Sequence, residues 1–343
     1  MPPVKVVIDE HIPFIRAAAA RLFTDVKYCN GATLSRSDLT GADALIVRTR
    51  TRCDRALLEG TDVSFVATAT AGCDHIDADY LFSRHISWSA AAGCNAGSVA
   101  QYVTNSLLAL TADTPLRPRV VGIIGVGHVG RAVSRSLTRF GFDVVLYDPP
   151  REETEGIRLN TLRELQEECD VISVHTPLTF AGRWKTHGLI DRGFLSRCRR
   201  RPVILNAARG GVVCEADLLE ALRSGEVSAA VIDTWENEPH INPSLLSAAV
   251  IATPHIAGYS ADGKAGATRM ALTTVCNHFG IDTSFTITPP PLPADLRPTG
   301  DPVRDALALY DPRRDSLALK QEPLKFEDLR NHYPLRREQF DLK

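Results

Sequence analysis

Three residues in the second half of the chain carry the side chains that oxidation of an alcohol next to a carboxylate requires. Arg209 lies in Asn206-Ala207-Ala208-Arg209-Gly210, Glu238 in Asp233-Thr234-Trp235-Glu236-Asn237-Glu238, and His255 in Thr253-Pro254-His255. Oxidising a 2-hydroxy acid with a nicotinamide needs a base for the hydroxyl proton, a cation for the carboxylate and a hydride acceptor held at the reacting carbon. Histidine changes charge near neutral pH and suits the base. Arginine offers a planar fork for a carboxylate. A glutamate bonded to one ring nitrogen would orient the imidazole and stabilise its protonated form. Taken singly, each has an ordinary reading: His255 as a hydrogen-bonded loop residue, Arg209 as the neutraliser of a helix end, Glu238 as a solvated carboxylate. Their shared position, each just after a different strand-like run, favours chemistry.

The elements that must position them begin at Val120. The apolar run Val120 to Ile124 leads into Gly125-Val126-Gly127-His128-Val129-Gly130, a helical pattern continues to Phe140, and Val144 to Tyr147 ends on Asp148. In such a strand-turn-helix unit the first glycine permits the turn, the second lets the backbone approach a pyrophosphate, and the third lets helix and strand pack closely. Asp148 comes eighteen residues after Gly130, close to the spacing of a carboxylate that accepts hydrogen bonds from an adenosine ribose. An acid there repels a 2′-phosphate, so NAD is expected rather than NADP. Further apolar runs at Asp170 to Val174, Pro202 to Leu205, Ser228 to Ile232 and Ala249 to Ala252 alternate with helix-length segments. They predict a doubly wound parallel sheet of six strands, with ligands outside the carboxyl ends.

A second α/β pattern precedes it, with runs at Val4 to Ile8, Ala44 to Val47, Phe65 to Thr68 and Ile86 to Ser89 and no glycine fingerprint. A helical segment from Ala96 to Leu110 reads as a connector, and Lys264 to Phe279 could return to the first domain. The proline-rich stretch 288–293 reads as an extended linker, and the remainder of the chain to Lys343 is charged and poor in apolar periodicity.

With 39 basic and 41 acidic residues the chain gives no global electrostatic reason to bind nucleic acid or an anionic membrane, so a small partner is expected. No signal peptide or spanning apolar run of roughly 20 residues is present, which predicts a cytoplasmic protein. Eight dispersed cysteines without a CxxC read as free thiols. Asp9, Glu10, His11 and His75 are explained by turns and capping, and no metal is assigned.

The glycine segment, Asn206 to Val213, Asp233 to Pro239 and Thr253 to Gly258 together resemble the D-isomer-specific 2-hydroxyacid dehydrogenases. The resemblance implies that Arg209, Glu238 and His255 are the catalytic set. It implies an NAD site lined by Gly125, Gly127, His128, Val129, Gly130, Asp148, Thr176, Ala207, Ala208, Arg209, Asp233 and Gly258. Further segments, among them Val47-Arg48-Thr49, Ala67 to His75 and His255 to Ser260, resemble a branch of that family acting on a phosphorylated 2-hydroxy acid, with Thr49, Thr70 and Tyr259 contacting substrate. Arg48, Arg50 and Arg52 would then supply positive charge for a phosphate. Domains are expected at 1–93 with 259–288 (a discontinuous, flavodoxin-like substrate domain), 94–258 (the Rossmann NAD domain) and 289–343. The last is expected to be a homodimerisation segment shorter than the resemblance leads one to expect. Two alternatives stay open: a dehydrogenase for another 2-hydroxy acid such as 3-phosphoglycerate, and a non-enzymatic NAD-sensing module.

Overall fold

Every apolar run marked in the sequence is a strand in the computed structural model, which describes residues 4–293 and 296–340. The strands form two parallel sheets. One belongs to a unit made of Met1–Asn95 and Ser260–Pro291, the other to a unit made of Ala96–Tyr259 and Leu292–Lys343. The segment after the prolines falls inside the second unit.

In the first unit the strands are β1 (Lys5–Asp9), β2 (Asp25–Cys29), β3 (Ala44–Val47), β4 (Phe65–Thr68) and β5 (Ser87–Ala90), in the order β2-β1-β3-β4-β5. The helix Ala261–Phe279 returns to this sheet. Its Ala265, Ala267, Ala271 and Leu272 are buried in one cluster with Val6, Ile8, Ile46 and Phe65. Ser260 caps its start by accepting a bond from the Gly263 N–H at 2.8 Å.

The second unit holds β6 (Val120–Ile124), β7 (Asp143–Tyr147), β8 (Val171–Val174), β9 (Val203–Asn206), β10 (Ala229–Ile232) and β11 (Ile251–Ala252), ordered β11-β10-β9-β8-β6-β7. All residues of β8, β9 and β10 are buried, as expected of central strands covered on both faces. From β6 the chain runs to β7 on one side and returns to β8 on the other, so the direction of winding reverses at β6. The helix Ala96–Asp113 covers one face, burying Val99, Tyr102, Val103 and Leu107 with Val121, Ile123 and Leu205.

The C-terminal segment forms helices at Pro302–Leu309, Pro312–Gln321 and Phe326–Asn331. Asp301 and Asp311 cap the first two, each followed by proline at the first helical position. Leu319, Phe326 and Tyr310 are buried against the sheet of their own unit, because the helices lie along its flank. The Ser316 hydroxyl accepts the Ala252 N–H at 2.9 Å, closing part of the edge left by β11.

Arg336 fastens the end of this segment. Its guanidinium donates to the carbonyls of Ile256 at 3.1 Å, Ala257 at 2.7 Å and Ser98 at 3.3 Å, and to Gln101 Oε1 at 2.9 Å. It also lies over the Tyr310 ring, 3.9 Å from the centroid. Arg336→Met would keep most of the volume but leave buried carbonyls without donors. It should destabilise the protein by about 2–4 kcal/mol in urea titrations; a loss below about 0.5 kcal/mol would show that the fastening is dispensable.

Candidate active site

The glycine turn joins β6 to the helix His128–Arg139 at the reversal of the sheet. Gly125 has φ 92°, and a Cβ there would lie 2.6 Å from the His175 carbonyl oxygen. At Gly130 a Cβ would come within 1.9 Å of the Gly125 oxygen, while at Gly127 it would meet nothing within 4 Å. Two glycines are thus required by packing, and the middle one faces open space, as a backbone approached by phosphate must. Asp148, at the end of β7, accepts the Val126 N–H at 2.8 Å and the Arg151 N–H at 3.2 Å, tying its carboxylate to the turn. Arg151 in turn donates to the Val126 carbonyl.

Beyond β8 and β10 lie buried polar atoms without protein partners among the described residues: His175 Nδ1, Thr176 Oγ1 and Thr234 Oγ1. Burial pushes the His175 imidazole down to about 3, so this ring stays neutral. His175 and Thr176 lie against Gly125, and orphaned polar atoms beside a glycine turn fit a bound dinucleotide.

Arg209, Glu238 and His255 come after β9, β10 and β11, which are neighbours in the sheet. Gly210 permits close approach of the first two loops, since a Cβ there would lie 1.8 Å from the Trp235 carbonyl oxygen. Glu238 meets His255 directly, with Oε2 at 2.9 Å and Oε1 at 3.1 Å from Nδ1. The Trp235 N–H donates to Glu238 Oε1 at 3.0 Å. Burial alone would raise the Glu238 carboxyl, but the hydrogen bonds from His255 and Trp235 and the Arg330 charge outweigh it, so the group is held below its ordinary value. His255 Nε2 makes no hydrogen bond among the described residues and is the nitrogen left for a substrate proton.

His255 has φ 56°, the left-handed region that costs a non-glycine residue free energy. Asp233 holds it there. This buried carboxylate accepts Ile256 N–H at 2.8 Å, Ala257 N–H at 3.0 Å and the Thr253 hydroxyl at 2.7 Å. Desolvation raises its pKa, opposed by the His255 charge and these bonds. Asp233 is expected among the cofactor contacts, and its carboxylate also bonds the His255 loop from one side while Arg336 takes the carbonyls of Ile256 and Ala257.

Ala207 and Ala208 sit after β9 in the turn that Asn206 stabilises by accepting the Ala208 N–H at 3.2 Å. His128 and Val129 open the helix after the glycine turn, and Gly258 comes directly after the loop that Asp233 holds. Arg48, Thr49 and Thr70 belong to the first unit. There Arg48 Nε lies 3.0 Å from Oδ2 of buried Asp9, and Arg52 pairs with Asp54 at 2.9 Å. Thr49 is exposed, and Thr70 bonds Thr68 at 2.7 Å. Two groups near the pair had no sequence signal. Arg330 lies 3.5 Å from Glu238 Oε2 and 3.4 Å from the Tyr259 hydroxyl, and Glu215 exchanges backbone-to-carboxylate bonds with Glu236 at 3.1 and 2.6 Å.

A family model for the NAD binding domain of D-isomer specific 2-hydroxyacid dehydrogenases matches residues 99–257. An erythronate-4-phosphate dehydrogenase of Bacteroides thetaiotaomicron is 47% identical over 338 residues, 98% of this chain and 97% of that protein. One from Edwardsiella ictaluri is 41% identical over 348 residues, 97% and 92% of the two chains. Among solved structures, a D-lactate dehydrogenase from Aquifex aeolicus, complexed with NAD and lactic acid, shares the fold with a TM-score of 0.61. It is 24% identical, and the match covers 80% of this chain and 96% of that one.

Glu215 makes the support of the loop after β10 sensitive to pH. Burial lifts its carboxyl from 4.5 to about 7, with Glu236 and Glu238 adding like charge. The folded protein keeps a proton that the unfolded chain releases across this window, so stability falls as pH rises through it and the full cost is present above about 7. Glu215→Gln keeps an acceptor for the Glu236 N–H and cannot ionise. Relative to the parent it should gain about 1–3 kcal/mol at pH 8 and much less at pH 5 in denaturant melts. An equal gain at both pH values would contradict the linkage.

Proposed function

Because the chain belongs to the erythronate-4-phosphate dehydrogenases, within the D-isomer-specific 2-hydroxyacid dehydrogenase family, we propose that it oxidises 4-phospho-D-erythronate to 2-oxo-3-hydroxy-4-phosphobutanoate. The reaction serves pyridoxal phosphate formation. The observation that carries the reading is the 2.9 Å contact between His255 Nδ1 and Glu238, which leaves Nε2 to take the C2 hydroxyl proton. Arg209 binds the substrate carboxylate and orients C2. Glu238 steadies the imidazolium that forms. NAD, when bound, supplies the two-electron acceptor for the hydrogen on C2. The backbone from Gly125 to Gly130 would hold its pyrophosphate and Asp148 its ribose, with Thr176, Ala207 to Arg209, Asp233 and Gly258 lining the rest. Asp148 favours NAD, since a 2′-phosphate would face a like charge. Thr49, Thr70 and Tyr259 are read as substrate contacts, with Arg48 near the phosphate.

We place the protein in the cytoplasm, with a small phosphorylated hydroxy acid as its partner and neither nucleic acid nor membrane. Among the described residues no helix is long and apolar enough to cross a bilayer. A homodimer through the C-terminal segment belongs to the same reading. It is supported by Leu317, 57% exposed, and Leu324, 99% exposed, which the segment leaves uncovered. Light scattering should give twice the chain mass, and a double Leu317→Glu, Leu324→Glu variant should halve it; a monomeric parent protein removes the dimer.

The activity is tested by following nicotinamide absorbance with NAD or NADP and a panel of 4-phosphoerythronate, erythronate and 3-phosphoglycerate. Turnover should be best with the first acid and NAD. His255→Ala should lose on the order of 10²- to 10⁴-fold in kcat while binding NAD as before. In Glu238→Gln the acid limb of the oxidation rate should move to lower pH, and an unmoved limb would separate Glu238 from His255. A panel without turnover, despite NAD binding, would favour a sensing role.

A further inference from the structure

The C-terminal helix Phe326–Asn331 brings a guanidinium to the Glu238–His255 pair. Phe326 is 1% exposed and anchored in the core of the NAD unit. Arg330 comes four residues later, on the same face of the helix, so burial of Phe326 fixes where the guanidinium goes. Its Nη1 lies 3.5 Å from Glu238 Oε2 and its Nε 3.4 Å from the Tyr259 hydroxyl, both at the outer limit of hydrogen bonding. Arginines that serve packing in this unit bond more tightly. Arg313 meets Asp113 at 2.8 and 2.9 Å, and Arg336 reaches the Ala257 carbonyl at 2.7 Å. A guanidinium has five N–H donors, so three on Arg330 have no acceptor among the described residues, although its side chain is only 31% exposed. A half-buried, permanently charged group with idle donors is suited to an anion.

We propose that Arg330, together with the Tyr259 hydroxyl, binds the phosphate of the substrate, which makes the C-terminal segment part of the active site. The inference rests on the reading of the chain as a dehydrogenase of a phosphorylated 2-hydroxy acid and names the arginine that recognises the phosphate. Arg209, on the loop after β9, is engaged by the carboxylate in that reading. Arg48, read as near the phosphate, already has its charge matched by the buried carboxylate of Asp9 and so leaves room for a further cation. Arg330 retains the capacity that a dianion requires, because at 3.5 Å its contact with Glu238 leaves the fork geometry unused. Positive charge here also favours the ionised Glu238, so one residue would bind substrate and support the base.

The test compares kcat/KM for 4-phosphoerythronate and for erythronate in the parent protein, Arg330→Ala and Arg330→Lys, at saturating NAD. It also measures competitive inhibition by inorganic phosphate. Arg330→Ala should lower the preference for the phosphorylated acid by about 10- to 100-fold, mainly through KM, and weaken phosphate inhibition to a similar degree. Arg330→Lys, which keeps charge without the fork, should fall between. A role confined to holding Glu238 would penalise both acids equally, leaving the preference and the phosphate inhibition constant unmoved, and would overturn the proposal. Should Arg330→Ala fail to fold, the preference measured in Arg330→Lys decides: a ratio equal to the parent's overturns it. Should the parent turn over neither acid, the proposed activity fails, while loss of phosphate binding in Arg330→Lys, measured by calorimetry, would still support the anion site.

Discussion

A single buried carboxylate holds the His255 loop in place. Asp233 leaves β10 inside the protein, where an uncompensated charge would be costly, and is satisfied chiefly by the Ile256 and Ala257 N–H groups and the Thr253 hydroxyl. Those donors exist in the right place only if the chain bends sharply at His255. The solvation demand of one side chain therefore enforces the left-handed backbone of another, and the imidazole points where Glu238 can meet it. Arg336 completes the arrangement from the opposite side by donating to the carbonyls of the same two residues. A peptide segment bonded on both its donor and its acceptor side has little freedom to relax.

The loop after β10 is stiffened differently. The Trp235 indole donates to the Thr253 carbonyl at 3.0 Å, and its backbone N–H donates to Glu238, so one residue ties together the two loops that carry Glu238 and His255. Glu215 and Glu236 supply a reciprocal pair of bonds from the neighbouring helix start. Charge and geometry are coupled here, because acidic side chains crowd one buried turn and burial raises the pKa of one of them, Glu215.

Much of this was legible in the sequence where burial on both faces made strands read as continuous apolar runs. β2 was not, because Asp25-Val26-Lys27-Tyr28-Cys29 is an edge strand paired only with β1 and carries a mixed pattern. The C-terminal helices were missed for want of apolar periodicity, yet Asp301-Pro302 and Asp311-Pro312 were helix-start signals in plain view. The order Arg209, Glu238, His255 on successive strands pointed to a common rim. Contact between Glu238 and His255 depends on loop conformations that no local pattern specifies. Arg330 and Arg336 could not be found from spacing at all, since the partners that place them at the site lie 71 to 238 residues away.

Those separations bear on the order in which the molecule becomes active. Contacts between distant residues must overcome loop-closure entropy before they stabilise anything, so they tend to form late. Arg336 joins Ser98 across 238 residues and Ala257 across 79. A nascent chain can assemble the sheet and the glycine turn while the carbonyls behind His255 still lack their donor. Docking of the distal helices is therefore the step that completes the backing of the His255 loop, and the loop's rigidity depends on contacts made far along the chain.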